Sequence, residues 1–120
     1  MDKDVIRYYR EFKWDEEGRC YWSKLKGVMV AVLQNSEWFE EIGSNVKRHF
    51  EEWRIGWSIC GKKDQFCKQR GVGIARGRAL KGTRKKVPEE MKEEIWKLKK
   101  WLETGKNGEK REVIISGNMD

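Results

Sequence analysis

The stretch that most constrains the fold is residues 53–60, WRIGWSIC, in which large apolar side chains alternate with small or polar ones. One face of this stretch carries Trp53, Ile55, Trp57 and Ile59, and the other carries Arg54, Gly56, Ser58 and Cys60. A period of two is typical of a β-strand with one buried face. The chain therefore contains a strand that a second apolar surface must cover.

Residues 88–104 can supply that covering surface as a helix. The apolar residues of this stretch recur every three or four positions, as Met91, Ile95, Leu98 and Leu102, and Trp96 and Trp101 widen the stripe. Pro88 suits a first helical position and Gly105 suits a stop. We expect residues 91–102 to pack on the apolar face of residues 53–59.

The first third of the chain predicts a hairpin. Residues 5–14 alternate in polarity, a turn-like segment follows, and a second β-rich run extends from Arg19 to Leu33. If Gly27 marks a bend, the same residues form a three-stranded meander. An amino-terminal helix remains open as well, because the apolar members of residues 5–12 also recur at helical spacing.

Two further helices and a last strand complete the predicted elements. Ser36 can cap a helix that extends to Phe50, although residues 43–45 are a plausible break. Asp64 can cap a second helix over residues 65–81, and residues 111–116 favour a final strand. In the second helix Phe66, Gly73, Gly77 and Leu80 share a face, where the glycines could let the helix pack closely on the sheet.

These elements predict a single α+β domain over residues 1–120. We expect a mostly antiparallel sheet of four or five strands, covered by two or three helices. The longest apolar run, residues 28–33, is far too short to cross a bilayer, and the amino terminus lacks a signal-like segment. Three irregularly spaced cysteines favour reduced thiols. We therefore expect a cytoplasmic protein with no membrane contact.

Positive charge is concentrated in one stretch, residues 61–86. Ten cations stand there against the single acid Asp64, so the stretch carries +9 while the whole chain carries +7. The cations are Lys62, Lys63, Lys68, Arg70, Arg76, Arg78, Lys81, Arg84, Lys85 and Lys86. A concentrated positive field attracts polyanions, so these residues are our candidates for contacts with nucleic-acid phosphates.

No motif predicts catalysis, a metal site or a cofactor. The glycines of residues 71–77 have the spacing GxGxxxG and begin about ten residues after the strand, too late to cradle a dinucleotide phosphate. The cysteines and His49 lack the paired spacing of a zinc site. Adjacent glutamates diverge around a helix instead of converging on a substrate. We expect a protein that is not an enzyme.

The segment WSICGKKDQFCK, residues 57–68, continues through Gly71 to IARGRAL, residues 74–80. Over about 25 residues this block resembles a strand, turn and helix segment found in small uncharacterised bacteriophage and mobile-element proteins. The resemblance implies a mobile-element setting and transfers no catalytic residue. It implies two prospects, which are handling of nucleic acid and inhibition of a host protein.

Two functions follow as expectations. The first is non-enzymatic binding of DNA or RNA, single- or double-stranded, through the ten cations. The alternative is a protein-interaction module whose basic patch meets an acidic host protein, such as a nucleic-acid enzyme or defence protein, with exposed aromatic side chains as its anchor. Tyr8, Tyr9, Tyr21 and Trp22 are candidates for an exposed face, and exposed strand edges would also allow a homodimer.

Overall fold

Four strands and two helices make up the part of the chain that the computed structural model describes, residues 4–40, 42–43, 45, 47–61, 65–104 and 109–120. In chain order they are β1 (Val5–Trp14), β2 (Cys20–Glu40), β3 (Lys47–Ile59), α1 (Lys68–Lys81), α2 (Glu89–Glu103) and β4 (Glu109–Ile115). The strands form one sheet in the order β1-β2-β3-β4. The first three are antiparallel, and β4 runs parallel to β3. The predicted α+β class with a mostly antiparallel sheet is confirmed.

The predicted amino-terminal hairpin is present. Strand β1 pairs with β2 from Val5 opposite Ala31 to Trp14 opposite Cys20. Asp15 closes the turn, because its carboxylate accepts hydrogen bonds from the backbone N–H groups of Glu17 (3.0 Å) and Arg19 (2.8 Å). The alternatives of a helix and of a meander bent at Gly27 are wrong. Strand β2 continues straight through Gly27, and the ladder has only a bulge there.

The helix predicted over residues 36–50 is also wrong, because these residues form a second hairpin. Strand β2 runs on to Glu40 and returns as β3 from Lys47, and we name residues 35–40 and 47–52 the hairpin arm. Trp38 and His49 face each other across it, with their rings stacked at 4.6 Å. The Ser36 hydroxyl lies 2.6 Å from Nε2 of His49. The residues whose spacing fits a helix therefore pair across two strands instead.

The two helices pack on opposite faces of the sheet. Helix α2 covers the face that contains Trp53, Ile55 and Trp57, so the predicted packing of residues 91–102 on residues 53–59 is confirmed. Helix α1 covers the other face through Ala75 and Ala79. Alternate residues of β2 belong to the two clusters. This burial on both sides explains why residues 28–33 form an unbroken apolar run.

Close packing of α1 depends on a glycine in the strand. A Cβ atom on Gly56 would lie 1.9 Å from the Ala75 carbonyl oxygen and 2.5 Å from the Ala79 nitrogen. The expectation that Gly73 and Gly77 face the sheet is wrong, because a Cβ atom on either would have nothing within 4 Å. The small residues of α1 that meet the sheet are Gly71, Ala75 and Ala79.

The boundaries of the helices differ slightly from those expected. Helix α1 begins at Lys68 with Cys67 as its N-cap, later than the predicted start at Gln65. Asp64, the predicted cap, lies outside the described residues. Helix α2 begins at Glu89 with Pro88 as its N-cap, one residue later than the predicted start at Pro88. Among the described residues, neither helix has the length and apolar character needed to cross a membrane.

Replacing Gly56 with alanine should destabilise the protein, because the new methyl group would collide with the backbone of α1. We expect the free energy of unfolding to fall by about 1–3 kcal/mol or more. The control Gly73→Ala should raise it by about 0.5–1 kcal/mol, since that position is open and helical. Urea denaturation followed by tryptophan fluorescence measures both, and equal stability of the two variants would contradict this packing.

Candidate nucleic-acid interface

The sheet separates two helical layers of different charge. Helix α1 carries five lysine or arginine residues and no acid, whereas α2 carries five glutamates and four lysines. Because the helices pack on opposite faces, the positive charge of α1 is not offset by the acids of α2. One side of the protein is therefore basic.

Most charges of α2 are paired within the helix. Lys92 donates a hydrogen bond to Glu89 at 2.6 Å, which holds the pKa of that carboxyl below its usual value. Lys99 does the same for Glu103 and lowers the pKa of its carboxyl. Lys97 lies 3.5 Å from both neighbouring glutamates, which raise its pKa. The α2 layer thus offers little net charge to a partner.

Five of the predicted cations form an exposed series, which we name the basic ridge: Arg70, Lys81, Arg84, Lys85 and Lys86. Arg70 and Lys81 are eleven residues apart, about three helical turns, so they point in nearly the same direction from α1. The other three follow the carboxyl end of the helix. Within the described part of the chain, none of the five has a carboxylate within ion-pair distance.

The segment that carries the last three ridge residues is held in place by its backbone. The Lys85 carbonyl accepts a hydrogen bond from the Asn118 N–H at 2.9 Å, and the Val87 N–H donates to the Asn118 carbonyl at 2.8 Å. These bonds attach the segment to the residues that follow β4. The side chains of Lys85 and Lys86 remain exposed.

The remaining predicted contacts have other positions. Arg76 forms an ion pair with Asp4 at 2.8 Å. Lys68, at the start of α1, places its ammonium group 5.3 Å from the centre of the Tyr8 ring. Lys62 and Lys63 lie outside the described residues. Only five of the ten cations predicted from residues 61–86 therefore belong to the basic ridge.

Arg78 fastens α1 to the sheet. Its guanidinium donates a hydrogen bond to the Trp57 carbonyl at 2.9 Å and lies 4.4 Å from the centre of the Trp57 ring. Burial lowers the pKa of Arg78. The Trp57 indole in turn donates to the Ser116 carbonyl at 3.0 Å. Arg78 was predicted to contact phosphate, but its observed contacts are internal.

Replacing Arg78 with alanine should therefore destabilise the fold. Loss of a charged hydrogen bond and of the ring contact is expected to cost about 1–3 kcal/mol of unfolding free energy. Arg84→Ala, which removes the same charge from an exposed position, should change it by less than about 0.5 kcal/mol. Thermal and urea unfolding measure both values. A matching loss in the two variants would exclude a structural role for Arg78.

Sequence reasoning missed the bare backbone on the outward side of α1. Gly73 and Gly77 lie between Arg70 and Lys81, and the space above them is open. A second face of α1 also has small residues at regular spacing, and that face is buried. It consists of Gly71, Ala75 and Ala79. The alternating pattern of β3 could have distinguished them, because Gly56 lies on the strand face that needs small partners.

Several aromatic side chains are exposed away from the ridge. Trp38 of the hairpin arm is 69% exposed and Trp14 of β1 is 65% exposed. Ile42, in the turn of the arm, is fully exposed. Of the predicted aromatic candidates, Tyr8 is exposed, whereas Tyr9 is half-buried and its pKa is raised by burial. The side chains of Tyr21 and Trp22 lie outside the described residues.

The described residues contain no group of three or more histidine, cysteine or acidic side chains arranged to hold a metal ion. His49 faces Glu51 at 3.6 Å within the hairpin arm, where its ring is already engaged with Trp38 and Ser36. No family model, curated protein or solved structure matches this chain. A functional interpretation therefore rests on the geometry and charge of the chain itself.

Proposed function

We propose that the protein binds nucleic acid without catalysing a reaction, and that the basic ridge contacts the phosphates. The observation that carries this proposal is the exposed series of cations on α1 and on the segment that follows it, none of which forms an ion pair among the described residues. An exposed row of lysine and arginine side chains is the usual electrostatic footprint of a nucleic-acid partner. Neither DNA nor RNA is favoured by this argument.

The open glycines of α1 support the same function. Each glycine in a helix costs roughly 0.5–1 kcal/mol relative to alanine, and neither Gly73 nor Gly77 recovers that cost through a contact within the protein. Absence of side chains there lets another backbone approach the helix closely. Arg70 and Lys81 flank this bare strip, so an approaching phosphate chain would meet a cation at each end.

Binding should weaken steeply as salt increases, because each neutralised phosphate releases condensed counterions. Five phosphate contacts predict a slope of log affinity against log salt near −4.5 for duplex DNA and near −3.5 for a single strand. Fluorescence anisotropy with labelled duplex DNA, single-stranded DNA and RNA measures this slope for each partner.

Charge variants test whether the ridge is responsible. Arg84→Ala or Lys85→Ala should reduce the size of the slope by about 0.9 on duplex DNA. Lys97→Ala, which removes one charge from the α2 layer, should leave the slope nearly unchanged. A flat salt dependence, absence of binding to all three partners, or an equal effect of Lys97→Ala would contradict the proposal.

A second candidate function is protein binding through the hairpin arm. Trp38, Phe39 and Ile42 are exposed together at the end of the arm, and exposed large aromatic side chains often anchor interfaces. In this case the basic ridge would meet an acidic surface of the partner. The mobile-element setting, and with it a host enzyme or defence protein as the partner, remains a prediction from the sequence resemblance.

A pull-down from nuclease-treated host lysate distinguishes the two functions. Protein binding predicts a stoichiometric partner that Trp38→Ala loses and Trp14→Ala retains, since both tryptophans are similarly exposed but only Trp38 lies in the arm. Nucleic-acid binding predicts that nuclease treatment removes the captured material. Retention of a partner by both tryptophan variants would exclude the arm as the anchor.

A further inference from the structure

The outer edge of β1 is unpaired. The sheet order places β1 and β4 at its two edges, and among the described residues only β2 pairs with β1. Strand β4 begins with four charged residues, 109–112, a usual protection of an edge against pairing. Strand β1 is longer and carries the exposed side chains of Ile6, Phe12 and Trp14. A long edge strand with exposed apolar side chains is a template for a second strand.

A cleft of about 480 Å³ follows this edge. Its lining includes the consecutive residues 8–12 of β1. Because consecutive residues of a strand point to opposite faces, a cleft that contacts all five runs along the edge of the strand. The other wall is the amino-terminal half of α2, which contributes Glu90, Glu93 and Glu94. The cleft therefore lies where an added strand would lie.

The cleft is acidic, although α2 as a whole is nearly balanced. Its lining has four glutamates, one from β1 and three from α2, against the single cation Arg10. Lys26 lies 3.8 Å from both Glu11 and Glu90, so one lysine serves two of these acids. Lys97 likewise lies 3.5 Å from each of the other two. Charge complementarity therefore favours a basic strand as the occupant.

Strand β1 is itself a basic strand of matching length. Residues 5–14 contain three cations and one acid. In an antiparallel pair of β1 strands with Tyr9 on a twofold axis, Arg7 of each copy lies opposite Glu11 of the other. Arg7 is exposed, and 43% of the Glu11 side chain is exposed. The strand is therefore complementary to itself in this register.

The neighbouring registers are less favourable. Registers with the axis at a residue keep each face of the sheet continuous, because opposite residues then share a face. An axis at Arg10 places this arginine opposite its own copy, and like charges directly opposite are destabilising. An axis at Tyr8 places Arg7 opposite Tyr9 and forms no Arg7–Glu11 pair. Only the axis at Tyr9 gives two ion pairs.

We propose that two copies of this chain pair through their β1 edges, antiparallel and with Tyr9 on the twofold axis, so that the two sheets join into one. The β1 strand of each copy fills the acidic cleft of the other, and two Arg7–Glu11 ion pairs fix the register. Both copies of α1 then lie on the same side of the joined sheet. The dimer goes beyond the proposed function and does not depend on it, because no nucleic acid takes part in the contact.

Sedimentation velocity of the nuclease-treated full chain, from about 1 μM to about 300 μM, should show a monomer–dimer equilibrium. Arg7→Glu should weaken dimerisation about tenfold or more, because symmetry turns two attractive cross-strand pairs into two repulsive ones. Glu11→Arg should have the same effect. The combined variant Arg7→Glu/Glu11→Arg should restore dimerisation, because unlike charges again face each other.

Two controls separate pairing from general effects of charge and folding. Lys110→Glu makes the same charge change on the exposed edge strand β4, and it should alter the dimerisation constant less than about twofold. Arg7 also lies 5.2 Å from the centre of the Trp101 ring, a contact that both Arg7 variants lose. Recovery in the combined variant therefore reports the cross-strand pair and not this internal contact.

Tyr9→Cys provides a test that does not depend on charge. Opposite residues of an antiparallel pair have Cα atoms about 4.5–5.5 Å apart, within the range of a disulfide. Oxidised glutathione accepts two electrons and two protons from the paired thiols, which form one S–S bond between copies, and is released as two reduced glutathione molecules. Peptide mass spectrometry should find the link at position 9. Lys110→Cys, on the other edge, should form no such link at position 110.

The outcomes decide the proposal directly. A chain that stays monomeric over this range overturns it, as does a combined variant no better than the single variants. Equal weakening by Arg7→Glu and Lys110→Glu, or equal cross-linking of the two cysteine variants, also overturns it. A monomer whose β1 amide signals shift on titration with a lysine-rich peptide overturns self-pairing and assigns the edge to a basic segment of another protein.

Discussion

Contact between the bare backbone of β3 at Gly56 and the alanines of α1 is the constraint on which the arrangement depends. Any side chain at this position would push the helix away from the sheet, because the backbone of Ala75 occupies the space of a Cβ atom. The contact fixes α1 on the face opposite α2. Arg78 reinforces it by bonding to Trp57 next along the strand. The outward position of Arg70 and Lys81 follows from this placement.

Separation of charge follows from the same packing. With α1 and α2 on opposite sides of the sheet, acids of α2 form ion pairs with lysines of the same helix and do not pair with the cations of α1. The layer formed by α1 can therefore attract anions, whereas the layer formed by α2 has little net charge.

Local periodicity was sufficient for some elements and misleading for others. The strand at residues 53–60 and the helix at residues 88–104 were predicted because each has a clear period. The first hairpin was predicted with a helix and a meander left open, because residues 5–12 also recur at helical spacing. Residues 36–50 fit a helical period equally well, but pairing along the arm, from Ser36 opposite Glu51 to Glu40 opposite Lys47, places residues 36–40 and 47–50 in strands. The sequence showed where positive charge is concentrated in the candidate site. It did not show which cations have partners within the protein, because the partners of Arg76 and Arg78 are distant in the chain.

The sequence by itself determined that the chain has a strand with one apolar face, a helix to cover it and a strongly basic stretch between them. These properties depend on neighbouring residues, which set periodicity and local charge. Only the tertiary structure decided that Gly73 and Gly77 face solvent, that Arg78 bonds to Trp57, and that α1 lies opposite α2. Those outcomes depend on which surfaces meet. Because α1 has small residues on two faces, the shape of the sheet decides which of the two faces packs against it.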